Sequence, residues 1–174
     1  MTKEALGKQI YEISHLTGKF LLRSGVISNE YFDKYRFESV PELIYEIAMQ
    51  MVELLPADFD YLAGLETGGI PLATAISLQC GKPVVFVRKK AKEYGTAKLA
   101  EGPEIDGKKL VIIEDVVTSG GQISLSAKDL RQLGANVTDV LCVIDRQAGG
   151  ANNLAKDSLR LIPLFTMEEL KNLK

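Results

Sequence analysis

The stretch Leu110-Val111-Ile112-Ile113-Glu114-Asp115-Val116-Val117-Thr118-Ser119-Gly120-Gly121 decides how this chain folds. Its first four residues form an unbroken apolar run rich in β-branched side chains, with no polar residue alternating. Such a run reads as a strand buried on both faces, as in the middle of a parallel sheet. Two adjacent carboxylates, Glu114 and Asp115, close the run. Two hydroxyls and two glycines follow, Thr118 to Gly121, and a helical pattern begins at Gln122. A strand that leads through small residues into a helix N-terminus makes an anion cradle. Backbone N–H groups point into the loop, and the helix dipole favours negative charge. Glycine lets the backbone come close to a ligand. The acids cannot bind an anion themselves; they suit sugar hydroxyls, or Mg2+, carried by the same ligand. An ordinary strand-to-helix turn with a Thr or Ser cap would account for Thr118 or Ser119. It would not account for two adjacent acids ending a buried strand, where unpaired charge is costly.

Working outward, the chain has 174 residues, enough for one domain with a sizeable core. Hydrophobic residues make up 46% and charged residues 25%, the balance of a globular protein. The formal net charge of −2 gives no global pull toward nucleic acid or an anionic membrane. No apolar run approaches spanning length, and MTKEALGKQI carries no apolar leader segment, so a cytoplasmic protein is expected. Cys80 and Cys142 lie far apart in apolar segments and read as buried free thiols. The single histidine, His15, falls near the end of the first helix and reads as a helix-end residue.

Before the central stretch, Ala5, Leu6, Ile10 and Ile13 repeat at helical spacing, a helix ending near Gly18. Lys19 to Leu22 reads as a short strand, and Tyr31-Phe32-Asp33-Lys34-Tyr35 as another. Ser39-Val40-Pro41-Glu42 has capping-box spacing and opens a helix that stops by Pro56. Asp60 to Gly64 and Pro83 to Val87 are strands flanking an Ile70–Cys80 helix. After the central stretch come a helix closed by Gly134, strands at Val140–Ile144 and Leu159–Ile162, and a short helix capped by Thr166. Strands alternating with helices predict an α/β fold, a mostly parallel sheet with helices on both faces. Ligands of such sheets sit beyond the carboxyl ends of the strands. Leu65–Gly69, the segment from Arg88 onward, Glu114–Gly121 and Asp145-Arg146 all fall at that edge.

Neither a Walker loop nor a dinucleotide fingerprint is present. Arg88-Lys89-Lys90-Ala91-Lys92 places four cations directly after a buried strand and runs into a polar segment. A run of this kind is commonly a solvated face. At the ligand edge, a long polar loop also suits a lid. A basic lid opposite a phosphate cradle fits a ligand with two anionic ends. Glu66-Thr67-Gly68-Gly69 is a second glycine-bearing turn before a helix, a weak signal alone but a plausible second anion site beside the first.

The central stretch resembles the donor-binding loop of type I phosphoribosyltransferases. The order LRSG, Ser28, YFD, then GGIPLA, RKKAKEYGTAK, EDVVTSGG and DRQAGG is similar to that of the orotate phosphoribosyltransferases, from Phe20 to Gly150. The resemblance implies one phosphoribosyltransferase domain over residues 1–174, with a small hood from residues 1–40 and the C-terminal segment. It implies transfer of phosphoribose from phosphoribosyl diphosphate (PRPP) to orotate, with Mg2+, in pyrimidine biosynthesis. By motif, Glu114 and Asp115 would meet the ribose hydroxyls, and Val116, Val117, Thr118, Ser119, Gly120, Gly121 and Gln122 the 5′-phosphate. Arg88, Lys89, Lys92 and Tyr94, with Thr67 and Gly68, would face the diphosphate. Thr118 and Arg146 would meet orotate under Arg23, Tyr31 and Phe32. Lys92, Glu114 and Asp115 would carry catalysis. The family further implies a homodimer whose lid reaches the partner's site. Three positions depart from its commoner pattern: Tyr94 stands for His, Arg23 for Lys, and Thr67-Gly68 for a Tyr-Lys pair. Rival readings are a phosphoribosyltransferase for a purine base and a non-catalytic regulator that senses PRPP or a nucleotide.

Overall fold

The computed structural model describes residues 1–22, 25–91 and 98–173. In chain order, helix α1 (Lys3–Ser14) leads into an antiparallel hairpin, β1 (His15–Leu21) and β2 (Ile27–Phe32). Two helices follow, α2 (Lys34–Glu38) and α3 (Pro41–Val52). The body is β3 (Tyr61–Leu65), α4 (Gly69–Cys80), β4 (Val84–Val87), β5 (Ala100–Glu101), β6 (Lys109–Val117) and α5 (Gly121–Gln132). It closes with β7 (Asn136–Asp145), α6 (Gly150–Lys156), β8 (Arg160–Thr166) and α7 (Met167–Asn172). The main sheet runs β5-β4-β3-β6-β7-β8, parallel throughout except for β5.

The unbroken apolar run of β6 has a direct cause. Val111 and Ile113 face one core, with Leu62 of β3, Leu72 and Ile76 of α4, and Ile47 of α3. Leu110 and Ile112 face the other, with Ile123, Ala127 and Leu130 of α5 and Leu154 of α6. Both faces are covered, so neither set of alternate positions tolerates a polar side chain. The hairpin is mostly exposed and is tethered by its neighbours. Leu6 and Ile10 of α1 are fully buried, each contributing roughly 1.5–3 kcal/mol by leaving water. Gly7 lets α1 lie against α7, because a Cβ there would fall 2.7 Å from Leu173 and 2.9 Å from Phe165.

Several boundaries differ from those read in the sequence. The first helix stops at Ser14, and β1 begins at His15 rather than Lys19, because the hairpin register pairs His15 with Phe32. The strand expected over Tyr31–Tyr35 ends at Phe32; the Asp33 side chain then accepts from Tyr35 N at 3.2 Å and caps α2. Ser39 is not the cap of α3. It closes α2, donating through Oγ to Arg36 O at 3.2 Å, and α3 starts without a side-chain cap. The apolar signal of β6 stops at Ile113, yet the strand continues to Val117, so both acids lie within it. β5 and α6, of two and seven residues, were too short to read.

Candidate active site

At the carboxyl end of β6 the chain passes from Glu114 through Ser119 into α5. Gly120 turns the corner with φ 76°, a left-handed value suited to glycine. A Cβ there would also lie 3.0 Å from Leu154. The α6 turn supports the loop from behind: Asn153 Nδ2 donates to Ser119 O at 3.1 Å, and Gly150 leaves room for the Thr118 carbonyl. No side chain caps α5, so its first N–H groups face outward, as anion binding requires. The loop opens on a cavity of about 360 Å3, bordered from elsewhere by Lys34, Tyr35, Glu66, Thr67 and Lys89.

The two acids occupy unequal environments. Asp115 is fully buried. Its Oδ1 accepts from Val116 N at 2.5 Å, and its Oδ2 forms an ion pair with Lys34 Nζ. Burial pushes the Asp115 carboxyl up, but hydrogen bonds from Glu114 and Lys34 outweigh it and hold the group below its ordinary value. Glu114 Oε1 accepts from Asp115 N at 3.0 Å. Burial, then the Asp115 charge, raises Glu114 well above the usual carboxylate range. The two carboxyls are therefore driven apart in proton affinity, Asp115 toward the ionised form and Glu114 toward the protonated one. Glu38, one turn after Lys34 on α2, is pushed up to about 8 by burial and by the neighbouring Asp115. Lys34 resists its own burial because Asp115 and Glu114 raise it.

The second loop, Glu66 to Gly68, is built against this cluster. A Cβ on Gly68 would fall 1.6 Å from Asp115 Oδ2, so the carboxylate occupies the space a side chain would need. Gly69 brings α4 against β6, its would-be Cβ lying 2.2 Å from Ile113 O. The Glu66–Thr67 peptide is cis, and Glu66 Oε1 accepts from Lys89 N at 2.8 Å.

Of the residues expected at the site, Thr67, Lys89, Glu114, Asp115 and the whole Val116–Gln122 loop border the one cavity. Arg88 is set apart at the β4–β5 edge, its Nε 3.5 Å from Glu101 Oε1. Tyr31, Phe32 and Arg146 come together instead in a hood hollow of about 150 Å3, beside Tyr11 and His15. The Arg146 N–H donates to Val117 O at 2.9 Å, tying that hollow to the loop between β6 and α5. Arg23, Lys92 and Tyr94 lie outside the described residues. His15 does more than end a helix: it stacks on Tyr11 at 4.8 Å and meets Glu30 at 2.8 Å. Lys34 and Glu38 were not anticipated. Their spacing of four puts both on one helix face, but only once α2 is known to be a helix.

A phosphoribosyl transferase domain model matches residues 31–165. The orotate phosphoribosyltransferase of Nocardioides sp. is 49% identical over 98% of this chain and 96% of its own length. That of Methanocaldococcus jannaschii is 40% identical over 89% of this chain and 88% of its own. The solved Mycobacterium tuberculosis orotate phosphoribosyltransferase in complex with 5-phospho-α-D-ribosyl 1-diphosphate superposes with a TM-score of 0.83, at 27% identity, covering 97% of this chain and 98% of that one. With that domain match over most of its length and relatives of this identity and coverage, the chain belongs to the orotate phosphoribosyltransferase family.

Proposed function

We propose that this chain transfers the phosphoribosyl group of PRPP to orotate, giving orotidine 5′-monophosphate and diphosphate. The observation that carries this reading is the open N-terminus of α5 beside an acid pair of split proton affinity. The 5′-phosphate sits on the Val116–Gln122 loop, and Asp115 and Glu114 take the ribose hydroxyls. Lys89, at the second loop, faces the diphosphate. Orotate lies against Tyr31 and Phe32 with its carboxylate toward Arg146. Bond breaking at the anomeric carbon builds positive charge on the ribose and negative charge on the leaving diphosphate. Fixed groups that already face those positions lower the barrier without reorganising. Lys92 and Tyr94, which lie outside the described residues, are assigned to the lid, whose role is to exclude water that would hydrolyse the donor.

Among the described residues no group of three or more His, Cys, Asp or Glu stands ready to hold a metal. Such a site suits Mg2+ that arrives on the donor, bound largely by diphosphate oxygens and water. When bound, Mg2+ offsets charge on the leaving group. We further read residues 1–174 as one domain acting in the cytoplasm, where free thiols such as Cys80 and Cys142 persist. The working unit is a homodimer in which each lid reaches the partner's site. Mixing an inactive Asp115 variant with an inactive Lys92 variant should then restore activity; failure to restore it, with heterodimers present, refutes the shared lid.

A purine-directed transferase is the second reading. Arg146 in the hood hollow disfavours it, since an uncharged purine offers no carboxylate to that guanidinium. The test is a base screen with PRPP and Mg2+, following diphosphate release. Orotate alone should be consumed; turnover of adenine, guanine or hypoxanthine without orotate would overturn the assignment.

A further inference from the structure

Lys34 is the cation the sequence motifs do not contain. It comes from α2, 81 positions before Asp115, and borders the same cavity as the phosphate loop. Its side chain keeps 32% of its surface exposed, although it pairs with a carboxylate that is fully buried. Lys34 thus joins Asp115 to the cavity it lines, its ammonium also lying 5.2 Å from the centre of the Tyr35 ring. An ammonium has three N–H donors, and the pair with Asp115 occupies one. The site it occupies is set by Gly68: the Asp115 oxygen that Lys34 holds lies 1.6 Å from where a Gly68 Cβ would be. Lys34 thus meets the Asp115 oxygen that lies against the second loop.

Charge around the cavity points the same way. Among the described residues that border it, Lys89 is the one cation besides Lys34, against the acids Glu66, Glu114 and Asp115. Without Lys34 that set is net negative, an unfavourable setting for a ligand bearing a phosphate and a diphosphate. Lys34 is the second cation of the lining and offsets part of that charge. The 5′-phosphate has its own donors in the Val116–Gln122 loop, which leaves the diphosphate as the anion within reach of the ammonium.

We propose that Lys34 is a further donor-binding residue, its ammonium bridging the Asp115 carboxylate to the diphosphate of PRPP at the second loop. This rests on the transferase reading above. The bridge also settles how a buried acid serves the ribose: the ammonium anchors one carboxylate edge so that the rest of the pair keeps its orientation as the anion enters.

The test measures two fragments of the donor separately on the full chain. Calorimetry with diphosphate plus Mg2+, and with ribose 5-phosphate, is run on the wild type, Lys34→Gln and Lys34→Arg. Losing a charged hydrogen bond should weaken diphosphate binding on the order of 10- to 100-fold in Lys34→Gln. Ribose 5-phosphate should stay within about twofold, and Lys34→Arg should recover most of the diphosphate affinity. Equal weakening of both fragments would mean that Lys34 only supports Asp115, and no change in either would remove it from the site; each result overturns the proposal. If Lys34→Gln fails to fold for want of a partner for Asp115, the comparison moves to Asp115→Asn with and without Lys34→Gln. Diphosphate must still bind more weakly in the double variant, and equal affinity overturns the bridge. A wild type that binds diphosphate yet forms no orotidine monophosphate would refute the proposed reaction and leave the bridge standing.

Discussion

Replacing Gly68 by alanine tests the tightest contact of the site. The added methyl would start 1.6 Å from Asp115 Oδ2, inside the 3.0 Å that real Cβ atoms essentially never breach. The carboxylate must therefore retreat by roughly 1.4 Å. The atom in the way is the end of a side chain, so the backbone need not move and the protein should still fold. The displaced carboxylate gives up the ion pair with Lys34 and the 2.5 Å bond from Val116 N. Charged hydrogen bonds of this kind are worth about 1.5–3 kcal/mol each. Loss of one gives a fall in Tm of about 3–12 °C for a chain of this size. A shift of an ångström at a reacting site can cost about 100-fold in rate, so kcat/KM should drop to that order. The measurement is a double-mutant cycle: thermal melts and orotate-dependent turnover for Gly68→Ala, Asp115→Ala and both together. Once the carboxylate is gone, the methyl has nothing to strike, and Gly68→Ala should then cost little. Additive effects of the two changes would show that Gly68 and Asp115 are not in contact and would refute the argument.

Three further expectations follow from named groups. Glu38, raised from 4.5 to about 8 by burial and by Asp115, contributes stability that is whole below about 4.5 and lost as pH rises through about 8; urea midpoints of the wild type should fall across that window, and Glu38→Gln should flatten the fall, whereas parallel curves would contradict it. Asp115→Asn should lose about 100-fold in kcat/KM while remaining folded, because the Lys34 it leaves behind keeps 32% of its side-chain surface in water; unchanged turnover would remove the acid pair from the reaction. Gly120→Ala forces a side chain into φ 76° and against Leu154 at 3.0 Å, a strain of about 1–2 kcal/mol and a Tm lower by about 2–8 °C, and it should weaken inorganic phosphate binding; normal phosphate affinity would place the anion elsewhere.

What the sequence discloses follows physical range. The strand β6, its two-sided burial and the loop into α5 all rest on neighbours in the chain, and the apolar run with the glycines after it makes them readable. The same holds for the αL cap of α4 at Gly81 and the capping box at Thr166. The failures are of two kinds. α2 and β5 are too short to express a period, so Lys34 was read as strand and Ala100–Glu101 as loop. The Lys34–Glu38–Asp115 cluster joins segments separated by about 80 positions, and no local pattern records that an acid at the cavity edge is also paired from α2. Arg88 shows the converse: a cation at the right sequence position, drawn aside by Glu101 once β5 folds back along β4.

The strand order β5-β4-β3-β6-β7-β8 has a consequence for how the polypeptide is assembled. Counting outward from the β3–β6 boundary, everything on one side is made before residue 102 and everything on the other after residue 108. As the chain leaves the ribosome, β3 pairs with β4 and waits with its other edge bare until β6 has emerged. The active-site cleft straddles that boundary, with the Glu66–Gly68 loop on the early half and Glu114–Gly121 on the late one. The candidate site is therefore the seam between an early and a late half of the sheet, and a chain severed between β5 and β6 would be two half-sheets that regain activity only by zipping β3 to β6.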